Sequence, residues 1–272
     1  MRSALEGWRA ALEAGGRFLL RLEDIDHTRC RPEYEEAILE DLTWLELDWN
    51  GPVRRQSEHF ADYKTAADGL ATMGLLYPCF ATRAEIEAAS RLGGAGVDPE
   101  GAPLYPELHR GLKAAEIAER KKRGERYCLR LDMHKAVAKA TEMLRGRSLT
   151  FTEIDGIGGT ETVEARPLRW GDVILVRKDT PASYHLAVVV DDARQAVTHV
   201  TRGRDLYAAT DVHRLLQVLL ELPEPLYHHH RLIADPMGRK LAKSARDRSL
   251  KSLREDGVDP EFIRRELGFS AT

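Results

Sequence analysis

The chain has 272 residues, 43% hydrophobic and 31% charged, which is enough apolar material for one core with an insert or for two small domains. A formal charge of -3 argues against a protein that coats nucleic acid through bulk charge, although local basic faces remain open. No apolar run approaches bilayer-spanning length and the polar N-terminus does not read as a secretory leader, so the expectation is a cytoplasmic protein. Cys30, Cys79 and Cys128 are odd in number and widely spaced, which argues against a disulfide framework or a self-sufficient cysteine zinc site.

In chain order, Arg2 to Ala14 carries Leu5, Trp8, Ala11 and Leu12 at helical spacing and is closed by Gly15-Gly16. The run from Gly16 reads as a strand that stops at Glu23-Asp24, delivering carboxylates to the edge of a sheet. Pro32 opens a second helix, Asp48 to Pro52 is a turn, and Ser57 to Met73 is a third helix. A short strand follows at Leu75 to Phe80. Strand, helix, helix, strand is the alternation of an α/β sheet.

Composition then shifts. Thr82 caps a short helix, and Arg91 to Pro103 is rich in Gly, Ala and Pro, which predicts a mobile loop. A basic helix around Leu112 to Arg123 precedes strands at Tyr127 to Leu131, Leu149 to Ile154 and Val173 to Arg177. Residues 80–178 therefore read as an inserted α+β module, dividing a catalytic domain into 1–79 and 179–272. The alternation resumes with Tyr184 to Asp192, a β-branched run expected as a strand ending in paired carboxylates. A strand at Val197 to Thr201, a helix from Thr210, a strand at Tyr227 to Ala234 and helices at Leu250 to Glu255 and Pro260 to Leu267 complete the chain.

Lys240-Leu241-Ala242-Lys243-Ser244 resembles the K-M-S-K-S loop of class I aminoacyl-tRNA synthetases. Arg21 to Asp26, Tyr184 to Ala187 and Asp191-Asp192 are similar to the glutamate-specific members. Gly51 to Glu58 and Leu76 to Phe80 extend the similarity, which best matches a short branch that keeps the catalytic half and lacks the anticodon-binding half. The resemblance implies a Rossmann-like parallel sheet, ATP with Mg2+, and transfer of activated glutamate to queuosine at the wobble position of tRNA(Asp). It assigns Glu23 and Tyr184 to the amino end of glutamate and Arg202 to its side-chain carboxylate, a role suited to a two-pronged guanidinium. Lys243 is assigned to the ATP phosphates, assisted by Lys240 and Ser244, in a nucleotidyl transfer governed by positioning and charge. Arg29, Arg54, Arg55 and Arg204 are candidate contacts to tRNA phosphates. A monomer without affinity for DNA or membrane is expected.

The sequence departs from the family in two places. The family opens with a strand and a P-S-x-x-G-x-L-H-x-G-H segment that cradles ATP, and Arg2 to Leu5 aligns just after it; adenylation without that segment is expected to be severely impaired. In the family's zinc site, Cys79 and Tyr105 are retained, His109 stands for the last ligand, and Ala81 replaces a cysteine, so no tightly held metal is expected. His228-His229-His230 reads as strand-edge polarity, because consecutive strand residues point to opposite faces. Two alternatives stay open at this level: a truncated glutamyl-tRNA synthetase charging an acceptor end, and a non-catalytic protein that binds glutamate or tRNA.

Overall fold

A computed structural model describes residues 1–94, 96–155, 159–233 and 249–269. The described elements are α1 (Arg2–Glu13), β1 (Arg21–Leu22), α2 (Pro32–Trp44), β2 (Arg54–Arg55), α3 (Phe60–Thr72), β3 (Leu76–Cys79), α4 (Arg83–Gly93), α5 (Ala114–Lys122) and β4 (Cys128–Leu131). They continue with α6 (Met133–Met143), β5 (Thr150–Ile154), β6 (Thr160–Glu164), β7 (Ile174–Val176), α7 (Tyr184–Arg194), β8 (His199–Gly203), α8 (Thr210–Leu219), β9 (Leu226–His230), α9 (Leu250–Glu255) and α10 (Pro260–Glu266). No described helix is long and apolar enough to cross a membrane.

The fold divides into two compact units. The first comprises Met1–Gln56, Val200–Leu206 and His228–Thr272. Its core is Leu5 of α1, Leu42, Leu45 and Leu47 around the end of α2, and Ile263 and Phe269 from the C-terminal segment. Each such large apolar side chain contributes about 1.5–3 kcal/mol by leaving water. The extended segment after α1 is tied to the segment before α3 by Phe18 and Asn50, whose main-chain groups and amide side chain bond reciprocally, and by the parallel pairing of β1 with β2. Only Arg21 and Leu22 of the expected strand enter regular pairing. Arg254 of α9 grips Asp41 and Glu40 of α2 at 2.7 and 2.6 Å, fixing the C-terminal helices on this core. β8 lies beside β9 in this unit.

The second unit comprises Ser57–His199 and Tyr207–Tyr227. Its three-stranded sheet has the order β3-β4-β7 with antiparallel neighbours. The β5-β6 hairpin is also antiparallel, and Glu153 of β5 pairs in parallel with Tyr227 at the start of β9. Thr82 and Glu85 form a reciprocal capping box that starts α4, as the Thr82 position predicts.

Three expectations change. Tyr184 to Asp192 is a helix rather than a strand: α7 buries Leu186 through Asp191 and packs against α3 and α8. A helix covered on several sides is apolar all round, so its β-branched run mimics a buried strand while packing overrides propensity. Asp191 is consequently not a sheet-edge carboxylate. It is buried and accepts a hydrogen bond from the Tyr63 hydroxyl at 2.8 Å. The loop expected over residues 91–103 is shortened by α4 and shaped by Asp98 Oδ1, which accepts from the amides of Glu100 and Ala102 at 2.9 Å each. Finally, α6 and β6 were not anticipated. The former has a legible signal, with Asp132 capping Lys135 and Met133, Ala136 and Ala140 buried at helical spacing.

Candidate active site

Arg202 lies near the end of β8 and is 8% exposed. Its Nε donates to His229 Nε2 at 3.0 Å, so that ring is neutral with its proton on Nδ1. Next along β9, His230 Nδ1 donates to the Arg231 carbonyl at 2.9 Å, which leaves Nε2 to accept from the Ser3 hydroxyl at 2.7 Å. The three consecutive histidines are therefore more than strand-edge polarity, since His229 and His230 are both buried.

Arg202, His230, Ser3, Asp205, Leu232 and Ile233 line a pocket of about 360 Å³ in the first unit. A buried guanidinium at a concave, mixed polar and apolar surface suits a small carboxylate. A Cβ at Gly203 beside it would displace the end of the exposed Asp205 side chain and press on Leu232. Ser3, Asp205 and His230 were missed by sequence reasoning, as nothing in their local pattern indicates the long-range approach of α1 to β9.

Glu23 sits just beyond β1, exposed, with Arg21 Nη2 at 3.3 Å from its carboxylate, and it does not line that pocket. Tyr184 belongs to the second unit, at the start of α7, with its ring edge-on to His185 and His213. Lys240, Lys243 and Ser244 lie outside the described residues. Among the basic candidates, Arg29 is exposed and bonds Asp26 at 2.8 Å, Arg55 pairs with Glu35, Arg54 pairs through the β1-β2 ladder, and Arg204 is exposed.

The positions read as a relic of a metal site do gather in the second unit. Cys79 and Cys128 face each other across β3 and β4, and Cys79 Sγ lies 3.3 Å from the Tyr105 hydroxyl. His109 Nδ1 accepts from the amides of Phe80 and Ala81, both at 3.2 Å, while Nε2 faces the Arg120 guanidinium at 3.1 Å. Lys178 Nζ donates to the carbonyls of Phe80 and Ala81 at 2.8 and 2.9 Å. Hydrogen bonding from Cys128 first, then from Tyr105, His109 and Arg130, outweighs burial and holds the Cys79 thiol well below its ordinary range. The Cys128 thiol is pushed up by the same contact. This donor set does not fit zinc. His109 has spent its acceptor on main-chain amides, Ala81 supplies no ligand, and Arg120, Arg130 and Lys178 place cations where a metal ion would need anions. Among the described residues no group of three or more His, Cys, Asp or Glu is placed to hold a metal.

Behind this knot, Asp172 is closed off on every side. It accepts from Arg110 at 2.6 and 2.8 Å, from the Tyr77 hydroxyl at 2.5 Å and from the Met133 amide at 2.9 Å. Burial alone would raise its pKa, but the Arg110, Met133 and Tyr77 bonds together lower it.

The architecture is mixed α/β, with β1 parallel to β2 and β5 parallel to β9. The family described as "tRNA synthetases class I (E and Q), catalytic domain" matches residues 1–270, and the chain belongs to this family. Among its relatives, the glutamyl-Q tRNA(Asp) synthetase of Rhodobacter capsulatus is 44% identical over 265 residues, covering 95% of this chain and 90% of that protein. The protein of the same name from Nitratidesulfovibrio vulgaris is 39% identical, covering 92% of this chain and 75% of its own length. A solved glutamate tRNA ligase from Elizabethkingia meningosepticum, in complex with its amino acid, superposes with a TM-score of 0.75 at 25% identity. That alignment takes in 98% of this chain, which spans 56% of the solved chain. Membership in the family implies use of ATP.

Proposed function

We propose that this chain activates glutamate with ATP and transfers the glutamyl group to queuosine in tRNA(Asp). The reading rests on one observation above others: 44% identity to a glutamyl-Q tRNA(Asp) synthetase across nearly the whole of both chains. In the first step a glutamate carboxylate oxygen attacks the α-phosphorus of magnesium-bound ATP, and pyrophosphate leaves. In the second, a hydroxyl oxygen of the queuosine ring attacks the activated acyl carbon, and AMP leaves as the hydroxyl proton is lost. Arg202, buried at its pocket, is the group suited to the side-chain carboxylate, with Glu23 and Tyr184 at the amino end. Lys243, with Lys240 and Ser244, is assigned to stabilising the phosphate charge that develops in the first step. Cys79, Tyr105 and His109 are assigned a structural role without metal.

The test is transfer of labelled glutamate in the presence of ATP to three acceptors: tRNA(Asp) with queuosine, tRNA(Asp) without it, and tRNA(Glu). Label on queuosine-containing tRNA(Asp) alone is expected. Label on unmodified tRNA(Glu) would assign the chain to acceptor-end charging, and no label with retained glutamate binding would make it a binding protein.

A further inference from the structure

Arg202 and His229 meet across the neighbouring strands β8 and β9, inside the first unit. They are 8% and 6% exposed, and the 3.0 Å bond from Arg202 Nε to His229 Nε2 is buried. Consecutive strand residues point to opposite faces, so His229 turns to Arg202 while His230 turns to Ser3. Arg202 and His230 line the pocket of about 360 Å³, and His229 does not. What His229 contributes to a ligand there therefore passes through Arg202.

A guanidinium is flat and carries its N–H groups in one plane, so it meets a carboxylate with two bonds only when that plane is held at the right angle. Rotation about the bond between Cδ and Nε turns the plane. An acceptor on the Nε hydrogen opposes that rotation, because the N–H lies in the plane and its hydrogen bond prefers to be straight. Fixing a long side chain before the ligand arrives saves the entropy of ordering it on binding. The acceptor here is an imidazole nitrogen, which brings no charge of its own. A carboxylate in the same place would also hold the plane, but it would set a negative charge beside the one arriving with the ligand.

We propose that His229 is a positioning residue for glutamate: it fixes the plane of the Arg202 guanidinium, and as a neutral acceptor it does so without compensating the charge that draws a ligand carboxylate. The role rests on the reading of Arg202 as the group that meets the glutamate side chain. Glutamine ends in an uncharged amide and gains less from the same guanidinium, so the neutrality of His229 also serves the choice between the two.

Calorimetry of glutamate and glutamine binding to the full chain, with steady-state glutamate transfer alongside, tests this on variants of both residues. Arg202→Ala checks the underlying reading; glutamate affinity unchanged in that variant would remove Arg202 from the site and the proposal with it. His229→Leu is expected to weaken glutamate binding about tenfold or more, as for loss of a hydrogen bond to a charged group. It should raise KM for glutamate with kcat retained, because the side-chain carboxylate is held alike in ground and transition states, whereas a general structural defect would lower kcat as well. His229→Gln, which offers an amide oxygen in place of Nε2, is expected to recover most of the affinity. His229→Glu keeps an acceptor but adds a charge, and should narrow the preference for glutamate over glutamine by about tenfold or more. Should the leucine variant fail to fold, the glutamine and glutamate variants decide between them. Full glutamate affinity in a folded His229→Leu, beside a loss in Arg202→Ala, would overturn the positioning role and leave the proposed function standing. So would a glutamate preference in His229→Glu equal to that in His229→Gln.

Discussion

Asp172 in the second unit and Arg202 in the first are both buried ions, and the protein treats them differently. Asp172 accepts hydrogen bonds from a guanidinium, a phenol and a main-chain amide, so its charge is spent on the fold. Arg202 shares its Nε with a neutral imidazole and lines an open pocket of about 360 Å³. A closed network around a buried charge serves the fold, whereas a buried charge at a cavity wall is a candidate for binding. The residues around Cys79 belong with Asp172, since His109 and Lys178 are bonded to the main chain of Phe80 and Ala81.

Substitution of each ion tests that contrast. Asp172→Asn should cost about 3–5 kcal/mol in chemical denaturation, because it leaves Arg110 facing a neutral amide in a buried network. A loss under 1 kcal/mol, about the value of an exposed pair, would show that the network is not closed. Arg202→Ala should instead lower kcat/KM for glutamate by about a hundredfold or more, with ATP binding retained. Undiminished glutamate transfer would remove Arg202 from the site.

The knot makes a pH prediction. The Cys79 pKa is lowered on folding from an ordinary value of 9.0. Its stabilisation is therefore full above that value, declines as pH falls, and is gone below the lowered pKa. Denaturation midpoints measured across this window should slope upward with pH, and Cys79→Ser should flatten the slope. Ultraviolet thiolate absorbance that appears only near pH 9 would contradict the assignment. The smallest effect is expected from a zinc chelator, which should leave the melting temperature unchanged; a chelator-induced drop accompanied by stoichiometric zinc would return the knot to the metal sites.

Much of the local structure was legible because it depends on neighbours in sequence. Pro32 and Pro260 mark helix starts, and Thr82 with Glu85 spells out a capping box. Arg202 was legible as a candidate through resemblance, and so was the gathering of Cys79, Tyr105 and His109. The run Leu186 to Val190 was misread, because its type depends on what packs around it, and only the fold places α3 and α8 against it.

By itself, the sequence determined the family, the local start signals of the helices and the residue types available for gripping a carboxylate. Tertiary structure alone decided which of those groups are committed. It brought Ser3 to His230 across 227 positions, set His229 under Arg202, and closed Asp172 with partners as far away as Tyr77. The physical reason is that hydrogen-bond satisfaction is a property of the packed chain: a side chain's acceptors are supplied by whatever the fold places within about 3 Å, and sequence spacing does not record that distance.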